Sequence, residues 1–168
     1  KRKLKADGSI DKYKARLVGK GSRQKEGLDY LDTYSPVTRI TSIRMLNAIA
    51  SLYNLDIHQM DVKTAFLNGE LNEEIYMEQP DGRSVPGKEK KVCKLVKSLY
   101  GLKQAPKQWH EKFDKAMMSN GCKINECDKC VYIKNTDKGY VIVCLYVDDM
   151  LIIGSNNDMI KTTKKMLN

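Results

Sequence analysis

The sequence predicts an α+β fold, because strand patterns and helix patterns follow each other without strict alternation. Apolar residues recur at helical spacing over residues 41–53 and again over 106–120. Two apolar runs, 140–146 and 150–153, are separated by a short polar step that is typical of a hairpin. A chain of 168 residues with 41% hydrophobic residues can bury one core or form two small lobes.

The first third of the chain predicts a basic strand and a helix. "YKARLV", Tyr13–Val18, has a strand pattern that places Lys14 and Arg16 on one face. Residues 19–38 contain three glycines and a proline and are predicted to be a loop. Thr41 or Ser42 is predicted to cap a helix that ends near residue 54.

The rest of the chain predicts four or more strands and two helices. Residues 55–62 and 74–79 have strand patterns, and 81–91 form a polar loop. Residues 92–119 predict a strand, a loop and a helix that has Pro106 in its first turn and stops at Asn120–Gly121. Trp109 falls on the buried stripe of that helix and is interpreted as a core residue. A hairpin over 130–146 and a last helix from Asn156 or Asn157 complete the prediction.

The net charge and the lengths of the apolar runs indicate which kinds of partner the protein has. Lys and Arg outnumber Asp and Glu by 30 to 21, a net charge of +9 that favours a polyanionic partner such as nucleic acid, although a solvated basic surface explains it equally well. No apolar run approaches the roughly 18 residues that a membrane-spanning helix needs. Because the sequence lacks an initial Met and ends in mid-pattern at "KKMLN", we expect it to be a piece of a longer polypeptide.

The five cysteines leave a minor alternative open. Cys122, Cys127 and Cys130 match one iron–sulfur spacing, but the fourth ligand would be Cys144, inside an apolar strand pattern. An odd number of cysteines without a signal peptide favours reduced intracellular thiols. Ordinary buried and loop cysteines are therefore the preferred interpretation, ahead of an iron–sulfur or zinc site.

Two adjacent carboxylates, Asp148 and Asp149, stand between the two apolar runs and are predicted to form the tip of a two-residue hairpin turn. Asp is a common turn residue, yet adjacent carboxylates repel each other beside apolar surface. A divalent cation would offset that repulsion. A third carboxylate would complete such a site, and Asp61, Asp56 and Asp32 all remain open on pattern alone.

Five motifs in order resemble the reverse transcriptase of copia-type LTR retrotransposons, part of a Pol polyprotein. The motifs are "YKARLVGKG" (13–21), "QMDVKTAFLNGEL" (59–71), "IYMEQPDG" (75–82), "SLYGLKQAPKQW" (98–109) and "YVDD" (146–149), and together they span almost the whole chain. The chain departs from the family at Gly19 and Ser22, where Ala and Phe are more usual. That departure affects the expected fingers tip and leaves the carboxylates intact.

The resemblance implies RNA-directed DNA polymerase activity, with Asp61, Asp148 and Asp149 as the catalytic residues. They would hold two Mg²⁺ ions, or Mn²⁺, with the Val62 backbone as a further ligand. The primer 3′-hydroxyl would attack the α-phosphate of a dNTP and release pyrophosphate.

The resemblance also implies contacts with nucleotide and primer. The dNTP-binding residues would be Lys14, Arg16, Ala65, Phe66, Tyr100 and Lys103, with Phe66 beneath the sugar as the barrier to a 2′-hydroxyl. Which of Lys14 and Arg16 contacts the triphosphate depends on strand register and stays open. Tyr146, Gly101 and Pro106 would contact primer or template.

The implied architecture is a right-hand polymerase without its thumb. Fingers would comprise 1–38 and 77–105, and palm 39–76 and 106–168, with an antiparallel palm sheet backed on one side by both predicted helices. Partners would be an RNA or DNA template with its primer, dNTP, and the thumb, connection and RNase H regions of the same polyprotein. The location would be intracellular, in a cytoplasmic virus-like particle or the nucleus. The competing hypothesis is an inactive relic that binds nucleic acid by charge alone.

Overall fold

The computed structural model describes residues 1–167, which form three antiparallel sheets and three α-helices. The strands are β1 (Arg2–Leu4), β2 (Ile10–Tyr13), β3 (Asp56–Asp61), β4 (Tyr76–Glu78), β5 (Val92–Lys94), β6 (Lys123–Ile124), β7 (Val131–Thr136), β8 (Gly139–Tyr146) and β9 (Asp149–Gly154). The helices are α1 (Ile40–Leu52), α2 (Ala105–Ser119) and α3 (Asn157–Leu167). The α+β class is confirmed.

A five-stranded sheet with the order β3-β9-β8-β7-β6 forms the centre of the molecule. Its middle strands are apolar on both faces, because residues alternate between the two sides of a strand and both sides are covered. Val141, Val143 and Leu145 of β8 belong to one buried cluster, while Ile142 and Cys144 belong to another. The predicted hairpins of β7–β8 and β8–β9 are both present.

The helices cover opposite faces of this sheet, which corrects the prediction that two of them share its back. Leu46 and Ala50 of α1 pack on the face of Ile142, Cys144 and Ile153. The side chains of α2 and α3 pack on the other face, against the strand residues of the other cluster. The helical spacing of α1 and α2 was predicted correctly, but spacing alone does not say which face of a sheet a helix covers.

The N-terminus of helix α1 is capped by a side chain from a distant part of the chain. The prediction that Thr41 or Ser42 caps this helix was therefore wrong. The Asp128 Oδ2 atom accepts hydrogen bonds from Thr38 Oγ1 (2.9 Å), the Arg39 backbone N–H (3.0 Å) and Ser42 Oγ (2.6 Å). Asp128 is 8% exposed and lies just before β7. It thereby joins the start of α1 to the central sheet.

Two small sheets, β1–β2 and β4–β5, lie outside the central sheet. The strand predicted at 13–18 is misplaced, since β2 ends at Tyr13. Its partner β1 covers only Arg2–Leu4, and the last backbone bond of the pair runs from the Lys14 N–H to the Lys1 carbonyl. Residues 15–18 therefore have no neighbouring strand in this sheet.

Two further predictions concern membrane-spanning helices and the state of the cysteines. Within residues 1–167, no helix is long and apolar enough to cross a membrane. All five cysteines are free, and Cys122, Cys130 and Cys144 are buried. Burial raises the pKa of the Cys130 thiol to about 12, so this sulfur stays protonated and packs as a small apolar group.

Candidate active site

The central hairpin turns at Val147 and Asp148, which corrects the placement of both aspartates at its tip. Strand β8 ends at Tyr146 and β9 begins at Asp149, so Asp149 is a paired strand residue. Val147 adopts a φ of +60°, an unusual conformation for a β-branched residue. Asp148 is half-buried and projects from a turn under backbone strain.

Asp61 lies directly opposite Asp149 at the end of the edge strand β3. Residues opposite each other in an antiparallel pair share a face, with Cβ atoms about 4.5–5.5 Å apart. The Val62 backbone N–H donates to the Asp148 carbonyl at 2.8 Å and extends this pairing past the strand end. Three carboxylates from two separate parts of the chain thus meet at one end of the sheet.

The structure separates Asp61 from the two carboxylates that pattern left open beside it. Asp56 lies at the other end of β3, opposite Gly154. The Asp32 carboxylate accepts a hydrogen bond from Lys107 Nζ at 2.9 Å, on the flank of α2. Only Asp61 of the three lies in register with Asp149.

This arrangement concentrates like charge. Carboxylates directly opposite each other in a sheet are destabilising, and Asp148 adds a third at the adjacent turn. One neutral donor is present, since Gln59 Nε2 lies 3.3 Å from Asp149 Oδ1. Among residues 1–167, no group of three or more His, Cys, Asp or Glu side chains is arranged so that it could hold a metal ion.

Behind the turn, Trp109 of α2 donates its indole N–H to the Val147 carbonyl at 2.7 Å. The Trp109 ring is 7% exposed and packs against Phe113, with ring centroids 5.7 Å apart. The interpretation of Trp109 as a core residue is confirmed. Its hydrogen bond to the turn was missed, because helical spacing predicts which side chain is buried and not where its polar atom ends.

The segment that follows β3 brings Phe66 into contact with Tyr100. Thr64 has a φ of +59°, and a 3₁₀ helix over Ala65–Asn68 follows it. Ala65 is 1% exposed, and the Phe66 ring meets the Tyr100 ring edge-on at 5.2 Å. The Arg16 guanidinium lies 5.2 Å from the centre of the same Tyr100 ring. Arg16, Tyr100 and Phe66 therefore form a continuous row.

Two further residues predicted to bind the nucleotide, Lys14 and Lys103, make contacts with other parts of the chain. Lys14 uses its backbone to pair with Lys1 in the basic hairpin. The Lys103 ammonium lies 3.1 Å from Tyr30 Oη and 4.9 Å from the centre of that ring, so it joins the 24–34 loop to the start of α2.

The three residues predicted to contact primer or template lie in different parts of the structure. Tyr146 is 43% exposed and lies opposite Asp149. Pro106 is in the first turn of α2, and its carbonyl accepts a hydrogen bond from Ser35 Oγ at 3.3 Å. Gly101 has a φ of +89°, and a Cβ there would lie 2.2 Å from the Gly19 carbonyl oxygen.

Gly19 lies in close contact with the segment that contains Tyr100 and Leu102. Its N–H donates to the Tyr100 carbonyl at 2.6 Å. A Cβ at Gly19 would lie 3.0 Å from Leu102 Cδ2, tighter than ordinary packing. The tighter restriction lies at Gly21, where a Cβ would lie 1.9 Å from the Gly101 carbonyl oxygen, so Gly21 and Gly101 allow the two segments to approach closely.

Comparison with known proteins supplies the family. A model of the family described as "Reverse transcriptase (RNA-dependent DNA polymerase)" matches residues 1–168. The chain belongs to this reverse transcriptase family. The resemblance of its five motifs is confirmed, including its copia-type character, since the relatives are Pol polyproteins of transposons. No solved structure matches the chain.

Proteins from plants and yeast are among the relatives of this reverse transcriptase segment. It is 52% identical over 165 residues to the retrovirus-related Pol polyprotein from transposon TNT 1-94 of Nicotiana tabacum, covering 96% of the chain and 12% of the relative. It is 41% identical over 162 residues to that from transposon RE1 of Arabidopsis thaliana, covering 96% and 11%. The Ty1-ER2 Gag-Pol polyprotein of Saccharomyces cerevisiae is 33% identical over 172 residues, covering 96% and 9%. The segment thus spans about a tenth of each relative.

Proposed function

We propose that this reverse transcriptase segment carries the polymerase active site of a retrotransposon Pol polyprotein and adds dNTP to a primer 3′-hydroxyl. The observation that carries the proposal is the pairing of Asp61 with Asp149 beside Asp148 at a strained turn. Three carboxylates at one end of a sheet are not explained by fold stability, because like charges opposite each other in a sheet are destabilising. A reaction that needs divalent cations accounts for them.

The carboxylates fit Mg²⁺ or Mn²⁺ better than a closed structural site. Mg²⁺ commonly takes one or two protein carboxylates and completes its octahedron with water and substrate phosphates. An open set of oxygen ligands would therefore be completed by water and by the phosphates of the bound nucleotide. Asp61 and Asp148 would be the main ligands, with Asp149 and the Val62 carbonyl beside them. When bound, two such ions lower the pKa of the attacking hydroxyl and neutralise charge on the leaving oxygen.

The chain's own residues would orient the nucleotide. Phe66 follows Asp61 by five residues and would pack beneath the sugar, where its ring would leave no room for a 2′-hydroxyl. Tyr100 supports that ring edge-on and also supports Arg16. We therefore assign the triphosphate contact to Arg16 and not to Lys14. Backbone N–H groups of the 62–65 turn add phosphate donors.

A division into fingers and palm follows from this site. The central sheet with α1, α2 and α3 would be the palm, and the β1–β2 and β4–β5 sheets the fingers. Template and primer would cross the basic surface between them, which the net charge of +9 favours. The thumb and RNase H regions would come from other parts of the polyprotein.

Metal binding by the chain itself tests the proposal. We expect Mn²⁺ to bind this chain and Asp61→Asn to weaken binding about 10-fold or more, because one carboxylate ligand is lost. Asp56→Asn is the matched control, since it removes the same charge from the same strand at its far end. The Mn²⁺ electron paramagnetic resonance signal gives the free concentration directly. Equal weakening by both variants would show a general charge effect and contradict the proposal.

The inactive relic is the second candidate, because the net charge of +9 suffices for nucleic-acid binding without any metal. It predicts salt-sensitive binding of a template–primer duplex that Asp148→Asn leaves unchanged, and no Mn²⁺ site. The metal-binding experiment therefore distinguishes the two candidates.

A further inference from the structure

The turn that presents Asp148 needs an external restraint. Its first residue, Val147, has a φ of +60°, a backbone conformation that is strained for a β-branched residue. Such a conformation persists only when the surrounding structure holds it. Two hydrogen bonds reach this turn from other elements, one to each of its carbonyls.

The first hydrogen bond comes from the residue that follows β3 and the second from helix α2. The Val62 N–H donates to the Asp148 carbonyl at 2.8 Å. The Trp109 indole N–H donates to the Val147 carbonyl at 2.7 Å. Trp109 is nearly buried against Phe113, so its indole has little freedom to follow a turn that moves.

We propose that Trp109 is a positioning residue for the Asp148 carboxylate, an inference that rests on the proposed function of the site. The Val147 carbonyl and the Asp148 N–H belong to one planar peptide unit. Fixing the oxygen of that unit fixes the plane from which the Asp148 Cα and its carboxylate project. Trp109 therefore acts through the backbone and contacts neither metal nor substrate.

The geometry also explains why a tryptophan is suited to this position. The indole combines a large apolar body with one N–H donor at its far edge. The body fills the core between α2 and the sheet, and the donor reaches the turn at the end of β8. A phenylalanine would fill most of the same space and leave the Val147 carbonyl without this partner.

Amide hydrogen exchange of this chain tests the proposal without metal or substrate. The Val62 N–H reports on the turn, because its acceptor is the Asp148 carbonyl; the Ser155 N–H, which donates to the Tyr140 carbonyl at 3.1 Å, reports on the far end of the same hairpin. In Trp109→Phe we expect exchange at Val62 to become about 5- to 10-fold faster, the equivalent of one hydrogen bond, with Ser155 unchanged.

Phe113→Leu is the matched control, because Phe113 packs on the same helix face and carries no donor. It should change exchange at both amides together. Since Trp109 is the only tryptophan of the chain, it can also be replaced during expression by its benzothiophene isostere, which removes only the N–H. That protein should reproduce the effect of Trp109→Phe even if the phenylalanine variant folds poorly.

Two results would overturn the proposal: unchanged exchange at Val62 when the indole N–H is removed, or an equal increase at Val62 and Ser155. A second measurement links the turn to the metal. In the isostere, half-saturation by Mn²⁺ should need an about 10-fold higher concentration. If the wild-type chain binds no Mn²⁺, the proposed function fails, and the exchange data still decide whether Trp109 holds the turn.

Discussion

Asp148→Asn is expected to reduce primer extension about 1,000-fold or more in the Pol protein that contains this segment. Asparagine keeps the size of the side chain and its place in the turn but removes the charge that would bind a divalent cation. Several kcal/mol of transition-state stabilisation depend on such an ion, and each 1.4 kcal/mol is about tenfold in rate. The rate of single-nucleotide addition at saturating dNTP measures the effect.

The matched control is again Asp56→Asn, which should extend primers at close to the wild-type rate. Template–primer affinity in Asp148→Asn should stay within about threefold of the wild-type affinity, with the same dependence on salt, because phosphate contacts come from the basic surface. An Asp148→Asn protein that extends primers normally would contradict the assignment of the catalytic carboxylates.

Asp128→Ala is expected to give the largest loss of stability, about 3–5 kcal/mol. The Asp128 carboxylate accepts bonds from Thr38, Ser42 and the Arg39 and Cys130 backbone N–H groups. Removing it leaves several buried donors unpaired, and each costs about 1–3 kcal/mol. Urea unfolding followed by Trp109 fluorescence measures the change. Asp11→Ala, at an exposed position of β2, is the control and should change stability by about 0.5 kcal/mol or less.

The stabilisation by Asp128 should depend on pH. Burial raises the pKa of Asp128, but hydrogen bonds from Ser42, the Arg39 and Cys130 N–H groups and Thr38 outweigh it, so the folded-state pKa is lowered. A lowered acid pKa contributes stability above the unfolded value of about 3.9, which is lost as the pH falls through the folded value. The stability difference between wild type and Asp128→Asn should therefore shrink below about pH 4. A difference that is constant from pH 6 to pH 3 would contradict this account.

The sequence predicted the secondary structure near the site well, because the local patterns there are strong. Residues 41–53, 55–62 and 140–153 follow clear periods of 3.6 or 2, and the structure has the helix and strands there. The strand at 13–18 failed because a strand needs a neighbour, and the pattern of one segment does not show whether a partner is available.

Long-range pairings could not be derived from local pattern. Only family resemblance could select Asp61 over Asp56 and Asp32 as the third carboxylate. The feature that distinguishes Asp61 is its position opposite Asp149, which lies 88 residues away in sequence. The Asp128 cap of α1 joins residues 86–90 positions apart. The Trp109 bond to Val147 depends on how a helix packed on one face of the sheet approaches a turn that lies 38 residues later in the sequence.

The most direct test of the central claim is a crystal structure of this chain grown with Mn²⁺, with anomalous scattering used to locate the ion. We expect an anomalous peak at the hairpin tip, within about 2.0–2.3 Å of carboxylate oxygens of both Asp61 and Asp148. A peak that avoids these residues, or carboxylates more than about 10 Å apart in an ordered sheet, would contradict it. Asp148 would then be a turn residue only, and the chain would bind nucleic acid by charge alone.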